Sequence, residues 1–182
     1  FAIPLALPIA MGRMSKNKIL SWFTNVFLLI IRGTPLMLQL LIVYFGPGLL
    51  INWINSFGYS IAFKWPRFTA AIIALAINYS CYFAEIYRGG IESIPKGQYE
   101  AAKVLGYTSG QTFFRIVLPQ VIKRIVPAMG NEVITLVKDT ALVSVIGVSE
   151  LLLVAKERQS ALFSFWPLFI AGIFYFVMNW IV

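Results

Sequence analysis

The amino-acid sequence predicts an all-α integral membrane protein, and three observations support this. Of the 182 residues, 59% are hydrophobic and only 12% are charged, whereas a soluble domain has about 25% charged residues. Long uncharged stretches recur along the chain, the longest of them between positions 33 and 63. Basic residues flank these stretches, which is typical of the cytoplasmic loops of membrane proteins. We therefore expect one transmembrane domain over residues 1–182.

The apolar stretches predict about five membrane-spanning helices. The chain begins inside an apolar stretch that lacks the features of a signal peptide, so we interpret it as a fragment trimmed at both ends, with a truncated first span. Residues 19–31 are too few to cross a membrane alone, and either lie near the interface or lead into the next span. The expected spans are residues 1–10, 36–50, 68–87, 125–155 with an interruption at 138–140, and 163–182.

The connections between these spans carry their own signals. Pro35 predicts a break after residue 34, because the residue before proline avoids the helical region. Gly46-Pro47-Gly48 predicts a broken or unwound exit from the second span. Residues 52–67 predict an extracytoplasmic loop with interfacial aromatic side chains such as Trp53 and Trp65. Residues 156–158 are expected to form a short charged connection.

The distribution of basic residues predicts the orientation in the membrane. If segments 13–32 and 88–124 face the cytoplasm, ten lysine and arginine residues lie inside and four lie outside, with Lys138 at the end of a span. Such an excess agrees with the positive-inside rule. The segment around residue 100 is then cytoplasmic.

Residues 95–119 predict two short helices joined by a glycine turn. Pro95 has a fixed φ that suits the first helical turn, and good helix formers follow up to residue 105. Gly106 is placed to end this helix in the left-handed conformation. Thr108 and Gln111 have the spacing of a capping box, which starts a second helix that we expect to run to Pro119.

Glu-Ala-Ala at 100–102 is followed by Gly106 and, after nine more residues, by Ile-Val-Leu-Pro at 116–119. This pattern resembles the EAA loop of bacterial ABC importer permeases. Segments 32–39, 85–91 and 138–147 resemble the polar amino-acid branch of these permeases, the histidine and glutamine type. A small departure is Ala141, where serine is usual in that branch.

The resemblance implies a type I ABC importer permease core that crosses the bacterial plasma (inner) membrane several times, with a cytoplasmic coupling loop at about 88–120. It implies two ATP-binding subunits, a second permease subunit that is identical or different, and an extracytoplasmic amino-acid-binding protein. No cofactor is expected in this chain, because ATP and Mg would be bound by the partner and the sequence has no Gly-x-x-x-x-Gly-Lys-Ser/Thr phosphate loop. We expect lipid contacts, and neither a nucleic-acid partner, a metal site nor enzymatic activity.

In the family, this loop sits in a groove of the ATP-binding subunit. Small alanines allow a helix to approach a groove closely, a carboxylate near a helix start is favoured by the helix dipole, and glycine tolerates a tight exit. The alternative is an ordinary surface helical hairpin. The predicted coupling residues are Glu100, Ala101, Ala102 and Gly106.

Polar residues inside apolar stretches are candidates for substrate binding, because they are costly at membrane depth. Positions 78, 82 and 85 are separated by three or four residues and therefore share a helix face. Positions 138–140 interrupt the fourth expected span. The predicted substrate-binding residues are Asn78, Tyr82, Glu85, Lys138, Asp139 and Thr140.

An amino acid has an ammonium and a carboxylate, and these candidates offer partners for both. Glu85 and Asp139 suit an ammonium or guanidinium, whereas Lys138 and Thr140 suit a carboxylate. Two alternatives stay open. The alternative for Glu85 is a structural ion pair with Arg88 at i+3. The alternative for Lys138-Asp139 is that these residues only mark where a helix reaches water.

The sequence thus predicts the transmembrane subunit of an ATP-driven importer of polar amino acids, and two carboxylates would favour basic ones. The same positions resemble glutamine-type members as well, so the preferred side chain stays open. A secondary transporter or channel driven by an ion gradient is the alternative, because broken helices with carboxylates fit it. It does not account for the pattern at 100–119. An intramembrane enzyme is disfavoured, since the chain has no histidine and no nucleophile–base pair, although a carboxylate dyad stays open.

Overall fold

The computed structural model describes residues 1–63 and 66–182, and this part of the chain is helical, without β-strands. The all-α prediction is confirmed. Trp65, one of the expected interfacial aromatic residues, lies outside the described residues together with Lys64. The α-helices are α1 (Ala2–Arg13), α2 (Lys18–Gly33), α3 (Leu36–Asn55), α4 (Arg67–Glu92), α5 (Lys96–Val104), α6 (Ser109–Thr112), α7 (Leu118–Asp139), α8 (Leu151–Leu162) and α9 (Trp166–Ile181).

Two of the described helices, α3 with 20 residues and α4 with 26, are long and apolar enough to cross a membrane. Their positions agree with the spans expected at 36–50 and 68–87, and both helices extend further than predicted. Helices α1 and α9 are apolar but shorter, with 12 and 16 residues. The expected number of about five spans therefore stays a prediction.

Helix α3 passes through Gly46-Pro47-Gly48 without interruption, so the predicted broken exit is wrong. A proline inside a helix removes one backbone hydrogen bond and can be accommodated by a bend. Neither Gly46 nor Gly48 is among the described residues with positive φ. The apolar residues that follow, Leu49 to Ile51, continue the helix to Asn55.

Residues 156–158 lie inside α8, so the predicted charged connection is also wrong. Lysine, glutamate and arginine are good helix formers, and all three side chains are exposed on the helix surface. The connection instead falls after Leu162, where Phe163 has a φ of 47°. Helix α9 consequently begins at Trp166, three residues later than expected.

The break between α2 and α3 occurs at Thr34-Pro35, as predicted. Pro35 is extended, with φ −62° and ψ 134°. Helix α2 is a separate element of 16 residues, and Leu28 is its buried residue. Most of its other large apolar side chains are exposed, which suits a helix that contacts lipid.

The chain forms two compact units, and α2, α4 and α7 contribute residues to both. The first unit, Phe1–Ile30 and Tyr79–Glu132, contains a small cluster formed by Ile94, Val117 and Val121. The second unit comprises Ile31–Asn78 and Val133–Val182. In this unit small side chains of α4 allow close packing of its neighbours. Its core cluster consists of Leu40, Ala70, Ala71, Ala74, Val143 and Ile146.

Candidate functional site

The segment from Pro95 to Gly106 folds as the sequence predicts. Pro95 precedes α5, and Gly106 has a φ of 76°. The amide of Tyr107 donates to the carbonyl of Ala102, and the amide of Gly106 donates to that of Lys103, each at 3.0 Å. These two bonds form a Schellman motif, which needs a left-handed residue at the position of Gly106.

The capping box that follows is also present. The amide of Gln111 donates to Thr108 Oγ1 at 3.3 Å, and the amide of Thr108 donates to Gln111 Oε1 at 2.9 Å. The second helix does not end at Pro119, however, so this part of the prediction is wrong. Helix α6 passes through a π-helical turn, Phe113–Val117, into α7, which continues to Asp139.

The π turn explains how the chain passes Pro119 without a helix end. Proline has no amide hydrogen, and in a regular helix its ring would clash with the carbonyl four residues earlier, that of Arg115. A π turn directly before it widens the backbone spacing at this point. Pro119 itself is the second residue of α7, and it donates no backbone hydrogen bond because it has no amide hydrogen.

The predicted coupling residues differ in exposure. Glu100 and Ala101 are exposed, whereas Ala102 keeps 1% of its surface exposed and packs inside its own unit. Apolar side chains are exposed close to Glu100, among them Val104 at 87% and Leu105 at 73%. The outer surface of this segment therefore combines a carboxylate with apolar side chains, and Ala101 is the alanine that it presents.

Asn78 is buried, and its side-chain amide donates to Gln39 Oε1 at 2.9 Å. Gln39 in turn donates from Nε2 to the carbonyls of Ile31 and Thr34, at 2.6 and 3.1 Å, and to Thr34 Oγ1 at 2.9 Å. The pair thus ties α4 to the break between α2 and α3. Sequence reasoning did not select Gln39, although an amide inside the uncharged stretch 33–63 was a usable signal.

Glu85 is held by two arginines, and the predicted alternative of an ion pair with Arg88 is confirmed. Arg88 Nη2 lies 2.9 Å from Glu85 Oε2, and Arg13 Nε lies 3.3 Å from Glu85 Oε1. The Glu85 side chain is 17% exposed. Tyr82 is on the same helix, with its ring 6.2 Å from that of Tyr79. Arg13, at the end of α1, was not predicted as a partner.

Residues 138–140 mark the end of α7, as expected from the predicted interruption. A 3₁₀ segment, Thr140–Ile146, follows and ends at Gly147, which has a φ of 73°. Lys138 is exposed and Asp139 is partly buried. Thr140 Oγ1 donates to the carbonyl of Val137 at 2.7 Å. The apolar continuation of the fourth expected span over 141–155 is not one helix, because the left-handed Gly147 turns the chain before α8.

Glu150 is a second acidic residue of this region that sequence reasoning did not select. It precedes α8 and accepts hydrogen bonds from the amides of Leu152 and Leu153, at 2.6 and 2.5 Å. The hydroxyl of Tyr175 on α9 donates to Glu150 Oε2 at 3.1 Å. Glu150 therefore caps α8 and connects it to α9.

Replacing Glu150 by alanine should destabilise the second unit. The change removes a helix cap, which costs about 0.5–2 kcal/mol, and a hydrogen-bond partner of the partly buried Tyr175 hydroxyl. Tyr175→Phe keeps both amide bonds, so its cost should be smaller, about 0.5–1.5 kcal/mol. The midpoint of thermal unfolding of the detergent-solubilised protein measures both. Glu157→Ala, on the exposed surface of the same helix, is the matched control. If Glu150→Ala had the unfolding midpoint of the wild type, the assignment of Glu150 as a helix cap would be contradicted.

The described residues contain no group of three or more histidine, cysteine, aspartate or glutamate side chains that could hold a metal ion. The polar side chains instead form hydrogen bonds and ion pairs with each other.

Comparison with known proteins places these features in a family. The sequence profile of the family described as "Binding-protein-dependent transport system inner membrane component" matches residues 2–182. The nopaline transport system permease of Agrobacterium fabrum is 39% identical over 98% of this chain and 74% of its own length. The arginine transport system permease of Bacillus subtilis is 39% identical over 96% of this chain and 75% of its own length. A crystal structure of an amino acid ABC transporter with histidines superposes with a TM-score of 0.80 and 40% identity, over 98% of this chain and 78% of that one.

Proposed function

This chain belongs to the family of binding-protein-dependent transport inner membrane components, and we propose that it carries basic amino acids into the cell. It is an integral membrane protein and the permease subunit of an ABC importer. ATP is hydrolysed by a separate ATP-binding subunit, and a substrate-binding protein is the other kind of partner. The observation that supports the substrate class is the similarity to the arginine permease, together with the acidic candidates on α4 and at the end of α7.

The proposed assembly follows from the family and from the charge distribution. The chain is one permease domain, residues 1–182, that crosses the bacterial inner membrane several times. It pairs with a second permease subunit, identical or different, and with two ATP-binding subunits that hold ATP and Mg. The basic segments 13–32 and 88–124 face the cytoplasm, which gives the loop at 88–120 access to the ATP-binding subunits.

The proposed coupling surface consists of Glu100, Ala101 and Gly106, with Ala102 as its internal support. Exposed apolar side chains beside Glu100 support this assignment, because a surface of this kind is costly in water and suits a protein partner. When the ATP-binding dimer closes, it would push on α5. The Schellman motif at Gly106 and the capping box at Thr108 would pass this movement through the π turn to α7.

The proposed substrate contacts are polar groups at two places. Asp139 would bind the ammonium or guanidinium, and Lys138 and Thr140 would bind the carboxylate. On α4 the proposed contacts are Asn78, Tyr82 and Glu85. Glu85 already has two arginine partners, so a cationic substrate would compete with Arg13 and Arg88 for it.

Amino-acid-stimulated ATP hydrolysis in proteoliposomes tests this proposal. The permease is reconstituted with its ATP-binding subunits and binding protein, and single amino acids are added. Arginine, lysine or histidine should stimulate hydrolysis. Asp139→Asn and Glu85→Gln should each reduce this stimulation by about tenfold, the loss of one charge-assisted hydrogen bond of about 1.5 kcal/mol, whereas Glu157→Gln should leave it unchanged. Stimulation by glutamine alone would contradict the basic substrate, and hydrolysis unaffected by every amino acid would contradict the importer.

A further inference from the structure

We propose that a cavity in the first unit, between the end of α4 and the beginning of α7, binds an anionic phospholipid. The cavity has a volume of about 370 Å³. Ile86, Gly89 and Ser93 line it from α4 and the residue that follows, and Arg124 and Ala128 line it from α7. This inference rests on the membrane orientation proposed above.

The cavity is polar at one end and apolar at the other. Ser93 and Arg124 are joined at one end, since Arg124 Nη1 donates to the carbonyl and to the hydroxyl of Ser93, at 2.5 and 2.9 Å. Ile86 lies seven residues before Ser93, about 10 Å along α4, and Ala128 lies four residues after Arg124, about 6 Å along α7. A headgroup phosphate fits the arginine end, and an acyl chain fits the apolar end.

The charge of Arg124 is not neutralised by the residues that the structure describes. Both of its hydrogen-bond acceptors are neutral oxygens of Ser93, and Arg124 is exposed. Arg88, by contrast, pairs with the carboxylates of Glu85 and Glu92. A phosphate is the complementary group, because a guanidinium binds it through two parallel hydrogen bonds.

Gly89 of α4 lines the cavity and contributes no side chain to it. A Cβ at Gly89 would have nothing within 4 Å, and its φ is not in the left-handed region. A larger residue can therefore be introduced here without backbone strain. With the proposed orientation, the arginine end lies at the cytoplasmic leaflet, whose anionic lipids attract basic groups near the ends of transmembrane helices.

The location connects the lipid to the proposed transport cycle. Helices α4 and α7 flank the coupling segment on both sides in the sequence, because α4 ends at Glu92 and α7 begins at Leu118. A lipid bound between them would hold together the two helices from which that segment projects. Anionic lipid should therefore affect the ATPase coupling of the intact importer.

Lipid retention by the full importer complex tests the site. Complexes are assembled in nanodiscs of phosphatidylcholine with added phosphatidylglycerol, and bound lipids are counted by native mass spectrometry. The wild type should retain phosphatidylglycerol in preference to phosphatidylcholine. Arg124→Gln should reduce this retention by about tenfold, the loss of a charge-assisted contact, and Gly89→Leu should reduce it by filling the cavity. Lys123→Gln, which removes a neighbouring charge outside the cavity, should behave as the wild type.

Two results would overturn the proposal. One is retention of phosphatidylglycerol by Arg124→Gln and Gly89→Leu at the level of the wild type. The other is disulfide formation between two permease copies that carry Gly89→Cys, which would show that protein covers this face. Amino-acid-stimulated ATP hydrolysis of the wild type, measured in parallel, separates the two proposals, because stimulation by basic amino acids supports the proposed function whether or not phosphatidylglycerol is retained.

Discussion

Replacing Gly106 by alanine should reduce amino-acid uptake about 5–30-fold while the membrane helices stay folded. Gly106 has a φ of 76°, and an L-residue in the left-handed region costs about 1–2 kcal/mol, which is a factor of about 5–30 in population. The alanine would disfavour the Schellman motif that orders the end of α5, and with it the position of Glu100. Uptake of labelled amino acid and ATP hydrolysis, measured in the same proteoliposomes, give the coupling ratio.

Two further variants make this result specific. Gly110→Ala introduces the same side chain on α6, where φ is ordinary and a Cβ meets nothing within 4 Å, so its uptake should equal that of the wild type. Gly106→Asn should lie between alanine and the wild type, because asparagine tolerates the left-handed region better than other non-glycine residues. A Gly106→Ala variant with the coupling ratio and uptake of the wild type would remove Gly106 from the coupling surface.

The turn at Gly106 could be predicted because all its signals are local. The Schellman bonds join residues three and five positions apart, and the capping box joins Thr108 to Gln111 three positions later. The residue types at these positions favour this geometry, because glycine accepts φ > 0 and threonine caps a helix. Short-range hydrogen bonding therefore determined both ends of the predicted break.

Local signals of a helix break gave wrong predictions where the helix could continue through them. Pro47 and Pro119 are strong indicators of interruption, yet α3 passes through the first, and the second lies inside α7, which continues from the π turn. In both cases apolar residues continue on either side, and a bend or a π turn costs less than two new helix ends with unpaired backbone groups. The charge of residues 156–158 was similarly misleading, because charged side chains at an exposed helix surface do not interrupt the backbone hydrogen bonds.

The candidate site was predictable only for contacts that are close in sequence. The pair of Glu85 with Arg88 lies three positions apart on one helix, whereas Arg13 is 72 positions from Glu85 and Gln39 is 39 positions from Asn78. Sequence spacing contains no information on which distant polar groups meet. It does indicate that a buried amide such as Asn78 needs a partner, and the structure identifies this partner as Gln39.

Replacing Gln39 by leucine should destabilise the second unit by about 1–3 kcal/mol, because it leaves the buried amide of Asn78 without its acceptor. The change also removes the side-chain amide that donates to the carbonyls of Ile31 and Thr34 at the break between α2 and α3. Asn78→Leu should cost less, since Gln39 keeps its bonds to that break. The free energy of unfolding of the detergent-solubilised protein measures the difference, with Gln98→Leu on the exposed surface of α5 as the control, expected within about 0.5 kcal/mol of the wild type.

The double variant, Gln39→Leu with Asn78→Leu, separates the two roles of Gln39. Removing both partners of a buried hydrogen bond is nearly neutral for that bond, so the double variant should be more stable than Gln39→Leu alone. It should remain less stable than Asn78→Leu, because the backbone carbonyls at the break still lack the Gln39 donor. Additive effects of the two single changes would mean that no energetic coupling links Gln39 to Asn78, and that the amide of Asn78 finds another acceptor when α3 loses its glutamine.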